Sequence, residues 1–189
     1  MNNKRIPMAA AVLACVLLGT GCEGLPAVRN EPVVRVERAV WPAEADTLEW
    51  LRNHSDSIVI ARVTAISDPS KTADAAGREI VARTVTLEVS AGLKGPHLAG
   101  QSVSVQVPGG TADGVTLKSE DAPEFAAGEE VVVALDETGA APRVVGGYRG
   151  KFTMTPGGPV RDKRVVAEHR EVDAEALLTG LSESGVPRP

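Results

Sequence analysis

The cleanest alternation in the chain lies at Ser102–Val107, where Val103, Val105 and Val107 interleave with Ser102, Ser104 and Gln106. A period of two places the valines on one face of an extended strand and the polar residues on the other. Glu79–Ser90 repeats the pattern. Val81, Val85, Leu87 and Val89 share one face and Thr84, Thr86 and Glu88 the other, while Arg83 interrupts the apolar row and is expected at the strand's margin. Ser57–Ile66 is rich in β-branched residues and apolar on both faces at its start, as in a central strand. Glu130–Leu135 is a short apolar run bounded by Gly128 and the Asp136–Gly139 turn region. Arg143–Tyr148 and Lys151–Thr155 read as strands about a Gly146–Gly147 bend, and Val160–Ala167 as a weaker one. Turns rich in glycine and proline separate them, at Gly95–Pro96, Pro108–Gly110, Gly139–Pro142 and Pro156–Pro159. Many short strands so punctuated predict a mainly β barrel or sandwich.

Helical spacing flanks this region. Trp41–Pro42 opens a short helix with Glu44 and Asp46 in its first turn and Arg52 near its end, an order that suits the helix dipole. Its apolar face would be Trp41, Ala45, Leu48 and Leu51. Near the C-terminus Ala174, Leu177, Leu178 and Leu181 fall at i, i+3, i+4 and i+7 behind Asp173 as a cap, so a second helix should lay this stripe on the sheet.

The first residues follow another rule. MNNKR is a basic head, Ile6–Leu18 is almost wholly apolar, and Gly19–Thr20–Gly21–Cys22 is a run of small residues. That is the layout of a secretory leader. The apolar run falls short of the ~20 residues that span a bilayer. Cys15 would leave with the leader, making Cys22 the first mature residue and the lone cysteine. An unpaired cysteine in a secreted domain implies a use. Leu17–Leu18–Gly19–Thr20–Gly21–Cys22 resembles the lipobox of bacterial lipoproteins, with Gly19 where an aliphatic residue is usual; Val12–Leu13–Ala14–Cys15 is a rival box behind a shorter apolar run. The resemblance implies that Cys22 carries lipid.

The expected organisation is a leader over 1–21, a tether over 22–40, a β-barrel domain with flanking helices over 41–184 and a tail over 185–189. Glu23–Val40 carries Pro26, Pro32 and scattered charges without a helical stripe; an edge strand at Val33–Arg38 is the alternative. Removing 21 residues from 189 leaves 168, enough for one domain with a core. Losing Lys4 and Arg5 takes the formal charge from −5 to −7. So acidic a chain is not built to hold nucleic acid, nor is its charge attracted to an anionic membrane. Membrane contact is expected through the lipid alone, on the extracytoplasmic face of the cell membrane.

From Ser55 to Thr155 several motifs come in a set order. Asp56–Ser57–Ile58–Val59–Ile60–Ala61–Arg62–Val63 opens it; Val85–Thr86–Leu87–Glu88–Val89 with Leu93–Lys94–Gly95 follows, then the turn Pro108–Gly109–Gly110. Phe125–Ala126–Ala127–Gly128–Glu129–Glu130 leads into Val131–Leu135, and Val144–Val145–Gly146–Gly147–Tyr148–Arg149–Gly150–Lys151–Phe152 closes it. The series resembles a large group of uncharacterised bacterial secreted proteins, distantly similar to the netrin-like modules that include the tissue inhibitors of metalloproteinases. The resemblance implies an OB-like barrel. It implies little about activity: the disulfides of the animal modules have no counterpart in the mature chain, and an acylated Cys22 lacks the free N-terminal amine with which those inhibitors grip zinc.

Motifs for chemistry are scarce. His54, His97 and His169 each stand alone at an element end or in a loop, and no Gly-x-Ser-x-Gly elbow occurs. Asp113, Glu120, Asp121 and Glu124 are spread along an acidic loop that favours solvation over a loose Ca²⁺ site, and no His or Cys spacing suits zinc. Gly109–Gly110 and Gly157–Gly158 lack the Lys-Ser/Thr of a phosphate loop. Arg161–Asp162–Lys163–Arg164 reads as a solvated strand face. Trp41, Trp50, Phe125, Tyr148 and Phe152 are few, and a single-strand nucleic-acid groove needs both stacking aromatics and basic residues in a quantity this chain lacks. The expectation is therefore a mainly β, OB-like barrel with a helix before and after it. It would be a lipid-anchored binding or interaction module without cofactor or metal and with a possible, unidentified protein partner. A hydrolase whose residues converge only in space and a small-ligand carrier are the alternatives.

Overall fold

The computed structural model describes residues 33–74, 76–155, 158–161 and 174–181. Its strands, in chain order, are β1 (Val33–Glu37), β2 (Ser57–Ile66), β3 (Ser70–Ala73), β4 (Glu79–Lys94), β5 (Ser102–Pro108), β6 (Gly110–Ala112), β7 (Val115–Ser119), β8 (Glu130–Asp136), β9 (Arg143–Val144), β10 (Lys151–Thr155) and β11 (Gly158–Arg161). Two helices, α1 (Leu48–His54) and α2 (Ala174–Leu181), and 3-10 turns at Ala43–Asp46 and Gly147–Gly150 complete the list.

Five strands close on themselves. β2 pairs with β4 and β4 with β5, both antiparallel; β5 meets β9 in parallel; β9 pairs with β8, and β8 returns to β2. This is the OB-like barrel expected of the sequence. The strands must bend to close, and register shifts at Ile58/Val59, Ile60/Ala61 and Val63/Ala65 supply the bend between β2 and β4. β4 runs long enough to serve three partners: Glu79–Ala82 pair with β3, Ala82–Glu88 with β5 and Val85–Lys94 with β2.

The alternating residues fill the inside. Val59, Ala61, Val63, Val85, Leu87, Val89, Val103, Val105, Val107, Val131, Val133 and Leu135 form the barrel core. A second core lies outside the wall. There Ile58, Val132, Ala134 and Phe152 pack with Leu51 of α1 and Leu177 and Leu181 of α2. α2 lays Leu177 and Leu181 of its stripe on the sheet as expected, its proposed cap Asp173 lying outside the described residues. The helix expected to open at Trp41–Pro42 is instead divided: Ala43–Asp46 form a 3-10 turn, Thr47 is extended, and α1 begins only at Leu48. Thr47 caps α1 by accepting from the Trp50 N–H (3.1 Å). Lys94 Nζ donates to the carbonyls of Arg52 (2.7 Å) and Ser55 (2.6 Å) at the helix's other end, tying it to β4.

Several expectations are corrected. Part of the segment read as a tether is strand β1, the alternative reading, because Val33–Glu37 lies parallel to Val115–Ser119 in a second sheet of order β1–β7–β6. The acidic loop after Gly109–Gly110 is instead largely the β6–β7 hairpin, with Asp113 in its turn at φ 47°. Only Arg143–Val144 of the Arg143–Tyr148 segment is strand. Gly146 (φ 68°) and Gly147 (φ 62°) then turn the chain left-handed into a 3-10 turn. β11 covers Gly158–Arg161, and the remainder of the expected Val160–Ala167 strand lies outside the described residues.

Leu135 is fully buried inside the barrel, so Leu135→Ala should cost about 2–5 kcal/mol of unfolding free energy. Leu98→Ser, at a site 67% exposed, should change it by less than about 0.5 kcal/mol. Urea midpoints at unchanged m-value would check both.

Candidate functional site

One end of the barrel opens into a cleft of about 1110 Å³. Its walls come from the start of β4 (Arg83), the end of β5 (Val107, Pro108), β7 and the segment after it (Leu117–Phe125), the exit of β1 (Arg38–Trp41) and the turn bearing Tyr148 and Arg149. A neighbouring cleft of about 790 Å³ shares Arg38, Ala39, Trp41 and Asp121 with the first and adds Trp50, His54, Asp136 and Arg143.

Asp121 assembles this end. Its Oδ2 accepts the Ala39 N–H (2.8 Å), its backbone carbonyl accepts the Tyr148 N–H (2.8 Å), and its Oδ1 lies 3.5 Å from Arg149 Nη1. Arg149 Nε also reaches Asp46 (3.4 Å), and its guanidinium sits 4.5 Å above the Tyr148 ring. Gly147 makes the approach possible, since a Cβ there would stand 2.2 Å from the Asp121 carbonyl oxygen. Glu120 pairs with Arg38 (3.5 Å), and Glu124 is itself engaged. Glu120, Asp121 and Glu124 therefore have separate tasks. Among the described residues no three His, Cys, Asp or Glu side chains are placed to hold a metal.

The basic residues divide differently. Arg83 stands in the inward row of β4 among Val81, Val85 and Leu87, half-buried at the barrel's end, with a buried Nε that lacks a hydrogen-bond partner. Neither Arg83 nor Lys118 enters an ion pair among the described residues. Trp41 Nε1 and Arg143 Nε, on the walls of the same two clefts, are also buried without a partner. A cluster of unfilled donors at one end of the barrel is chemically suited to an acceptor-rich ligand. Trp41, edge-on to Trp50 at 6.2 Å, adds apolar surface, and Trp50 stacks on His54 at 4.2 Å.

A second convergence arises elsewhere and corrects the reading of His97 as isolated. His97 Nε2 lies 2.6 Å from Glu137 Oε1, and the Ser57 hydroxyl donates to the same oxygen. The order differs from a nucleophile–base–orienter chain, because the carboxylate, not the imidazole, is central. Ser57 is fully buried, so a substrate carbonyl does not reach its Oγ. The cluster instead joins the start of β2 to the loops after β4 and β8, helped by Asp56 Oδ2 accepting the Glu137 N–H (2.7 Å). His54 is likewise engaged, its Nδ1 2.8 Å from the Trp50 carbonyl.

A buried ion pair joins two of the quoted motifs. Lys151 (3% exposed) donates from Nζ to Glu129 Oε1 (2.8 Å) and lies 5.0 Å above the Phe125 ring; Thr153 donates to the same Oε1, and the Ala126 N–H to Oε2 (3.0 Å). Burial pushes the Glu129 carboxyl upward, but the Lys151 and Thr153 hydrogen bonds, the Ala126 N–H and the Lys151 charge outweigh it, so the carboxyl lies below its ordinary 4.5. In Asp136, burial is likewise outweighed by the Thr138 hydrogen bonds and the charge of Arg143, 2.9 Å away.

Cys22, His169 and residues 162–164 of the basic run lie outside the described residues. Arg83 was marked in the sequence by breaking an apolar row. The Glu129–Lys151 pair left no sequence signal of its own, since nothing in the spacing opposes one residue to the other. No helix of the described residues is long and apolar enough to cross a membrane. Compared with known proteins, the chain matches no family model, no curated protein and no solved structure.

Glu129→Gln removes the charged acceptor that Lys151 Nζ and Thr153 share, and the expected loss at pH 7 is about 1.5–3 kcal/mol. A carboxyl whose folded pKa is lowered gives stability that is present above its unfolded value and lost as pH falls through the folded one. The gap between Glu129→Gln and the parent chain should therefore narrow below about pH 4.5. Urea unfolding at pH 7 and pH 3 would measure it.

Proposed function

We propose that the chain is a lipid-anchored, extracytoplasmic binding module, held at the membrane by Cys22 and offering the cleft at the barrel's end to an anionic partner. The observation that carries the reading is the unspent positive charge of Arg83 and Lys118 in a cleft whose acidic groups are already engaged. A ligand oxyanion gains from both cations, and a charge-assisted bond to a partly desolvated guanidinium is stronger than one in open water. Turning toward such a ligand would also give Arg83 Nε the acceptor that the fold withholds, an omission that costs about 1–3 kcal/mol in the free protein. Trp41 and Tyr148 supply apolar surface beside the charge.

Binding is favoured over catalysis by contrast with the Ser57–Glu137–His97 cluster, the closest approach to a hydrolytic site among the described residues. Its hydroxyl is sealed and its base is a carboxylate, a weaker proton acceptor than imidazole. The membrane half of the reading rests on the leader and on Cys22, whose lipid would contribute about 0.8 kcal/mol per buried CH₂.

Two measurements test the two halves. Cys22→Ser should send the protein to the soluble fraction or block its processing; a variant still cut and still membrane-bound overturns the anchor. In-cell crosslinking followed by mass spectrometry should capture a reproducible partner. Lys118→Glu and Arg83→Gln should each lower that capture about tenfold, the loss of one charge-assisted bond, while Lys71→Glu on β3, outside the cleft, should leave it unchanged. Equal capture by all three variants would remove the cleft from the account.

A further inference from the structure

Strand β1 is finished on one edge only. The Val33 N–H donates to the Gly114 carbonyl (3.0 Å), and the Glu37 carbonyl accepts the Glu120 N–H (3.1 Å). Residues 33, 35 and 37 therefore turn their peptide groups toward β7, and the alternation of a strand turns those of Val34 and Val36 away from it. β1 ends its sheet, and no strand lies beyond it among the described residues. Both faces are open as well. All five residues are exposed, with Val33, Val34 and Val36 at 53%, 55% and 61%. Proteins block such edges with proline, bulges or charged side chains, lysine above all. β1 has no proline, lysine or bulge, its register with β7 is unbroken, and its two charges are of opposite sign.

The charges on β1 indicate what covers it. Arg35 and Glu37 are opposite in sign and share one face. Neither enters an ion pair among the described residues, and Glu37 acts only at longer range, on Arg78. We propose that β1 pairs antiparallel with β1 of a second copy of this chain, in the register centred on Val36. That register opposes Val36 to Val36 of the other copy and brings Arg35 opposite Glu37 twice, as two-fold symmetry requires. The outward-facing groups of Val36 and Val34 then meet those of Val36 and Arg38. Centring on Arg35 also aligns the backbone groups but sets like charges face to face, and centring on Val34 puts Arg35 opposite Val33 and Glu37 opposite position 31, itself a glutamate. The joined three-stranded sheets become one continuous sheet, and the exposed valines gain cross-strand neighbours.

The test uses the full chain with Cys15→Ser and Cys22→Ser, so that an introduced cysteine is the sole thiol. Opposed Cα atoms in a hydrogen-bonded antiparallel pair lie ~5.5 Å apart, within the ~4.4–6.8 Å that a disulfide spans. Under mild oxidation Val36→Cys should give a covalent dimer, and Leu98→Cys, exposed elsewhere, should not. By sedimentation equilibrium, Arg35→Glu and Glu37→Arg should each weaken the dimer about tenfold or more, and the double exchange should restore it. Circular dichroism should show the same fold throughout, as expected for exposed sites. A monomer at every concentration overturns the proposal, as does a dimer indifferent to all three charge variants. Preferential crosslinking through Arg35→Cys overturns the register. The Cys22 anchor and the barrel cleft can each fail without affecting these readings, because neither enters them.

Discussion

Strand β8 is the wall on which both cores depend. Every residue from Val131 to Leu135 is buried, since Val131, Val133 and Leu135 face into the barrel while Val132 and Ala134 face the helices. A strand covered on both sides needs no polar alternation, which is why this run reads as continuously apolar. It also pairs with β2, β9 and β10, so barrel closure, outer core and the extension to β11 share one backbone. Few sites in the chain should tolerate change less.

The buried charge of Lys151 is engaged on several sides. Lys151 and Glu129 meet at the β8–β10 junction with Thr153, the Ala126 N–H and the Phe125 ring completing their environment. The motif residues around Phe125–Glu129 and Gly150–Phe152 thus have a structural purpose at a strand junction. Asp121 does comparable work at the barrel's end, accepting the Ala39 N–H from the exit of β1 and the Tyr148 N–H and Arg149 guanidinium from the Gly147–Gly150 turn. What these networks leave over, the Arg83 guanidinium and the Lys118 ammonium, defines the character of the cleft.

The proposed surfaces are neighbours. The segment Arg38–Trp41 leaves β1 and becomes a wall of both clefts, and Val36 and Glu37 line the smaller one. Covering β1 would therefore fix a cleft wall that is otherwise anchored by the Ala39–Asp121 hydrogen bond and the exposed Arg38–Glu120 pair.

By itself the sequence determined the elements. Period-two alternation located β4 and β5, because burial of one face is written directly into residue order; a β-branched run apolar on both faces located β2, the i, i+3, i+4 stripe located α2, and the resemblance of the ordered motifs pointed to an OB-like barrel. It also flagged Arg83 as an exception in an apolar row. Tertiary structure alone decided the rest. Whether Val33–Glu37 is tether or strand depends on β7, about 80 residues away. The partnerships of His97 with Glu137 and of Lys151 with Glu129 depend on which loops and strands come to lie together. Local pattern records only how a residue divides water from core, whereas a site is made by residues distant in the chain, and their meeting is set by barrel closure.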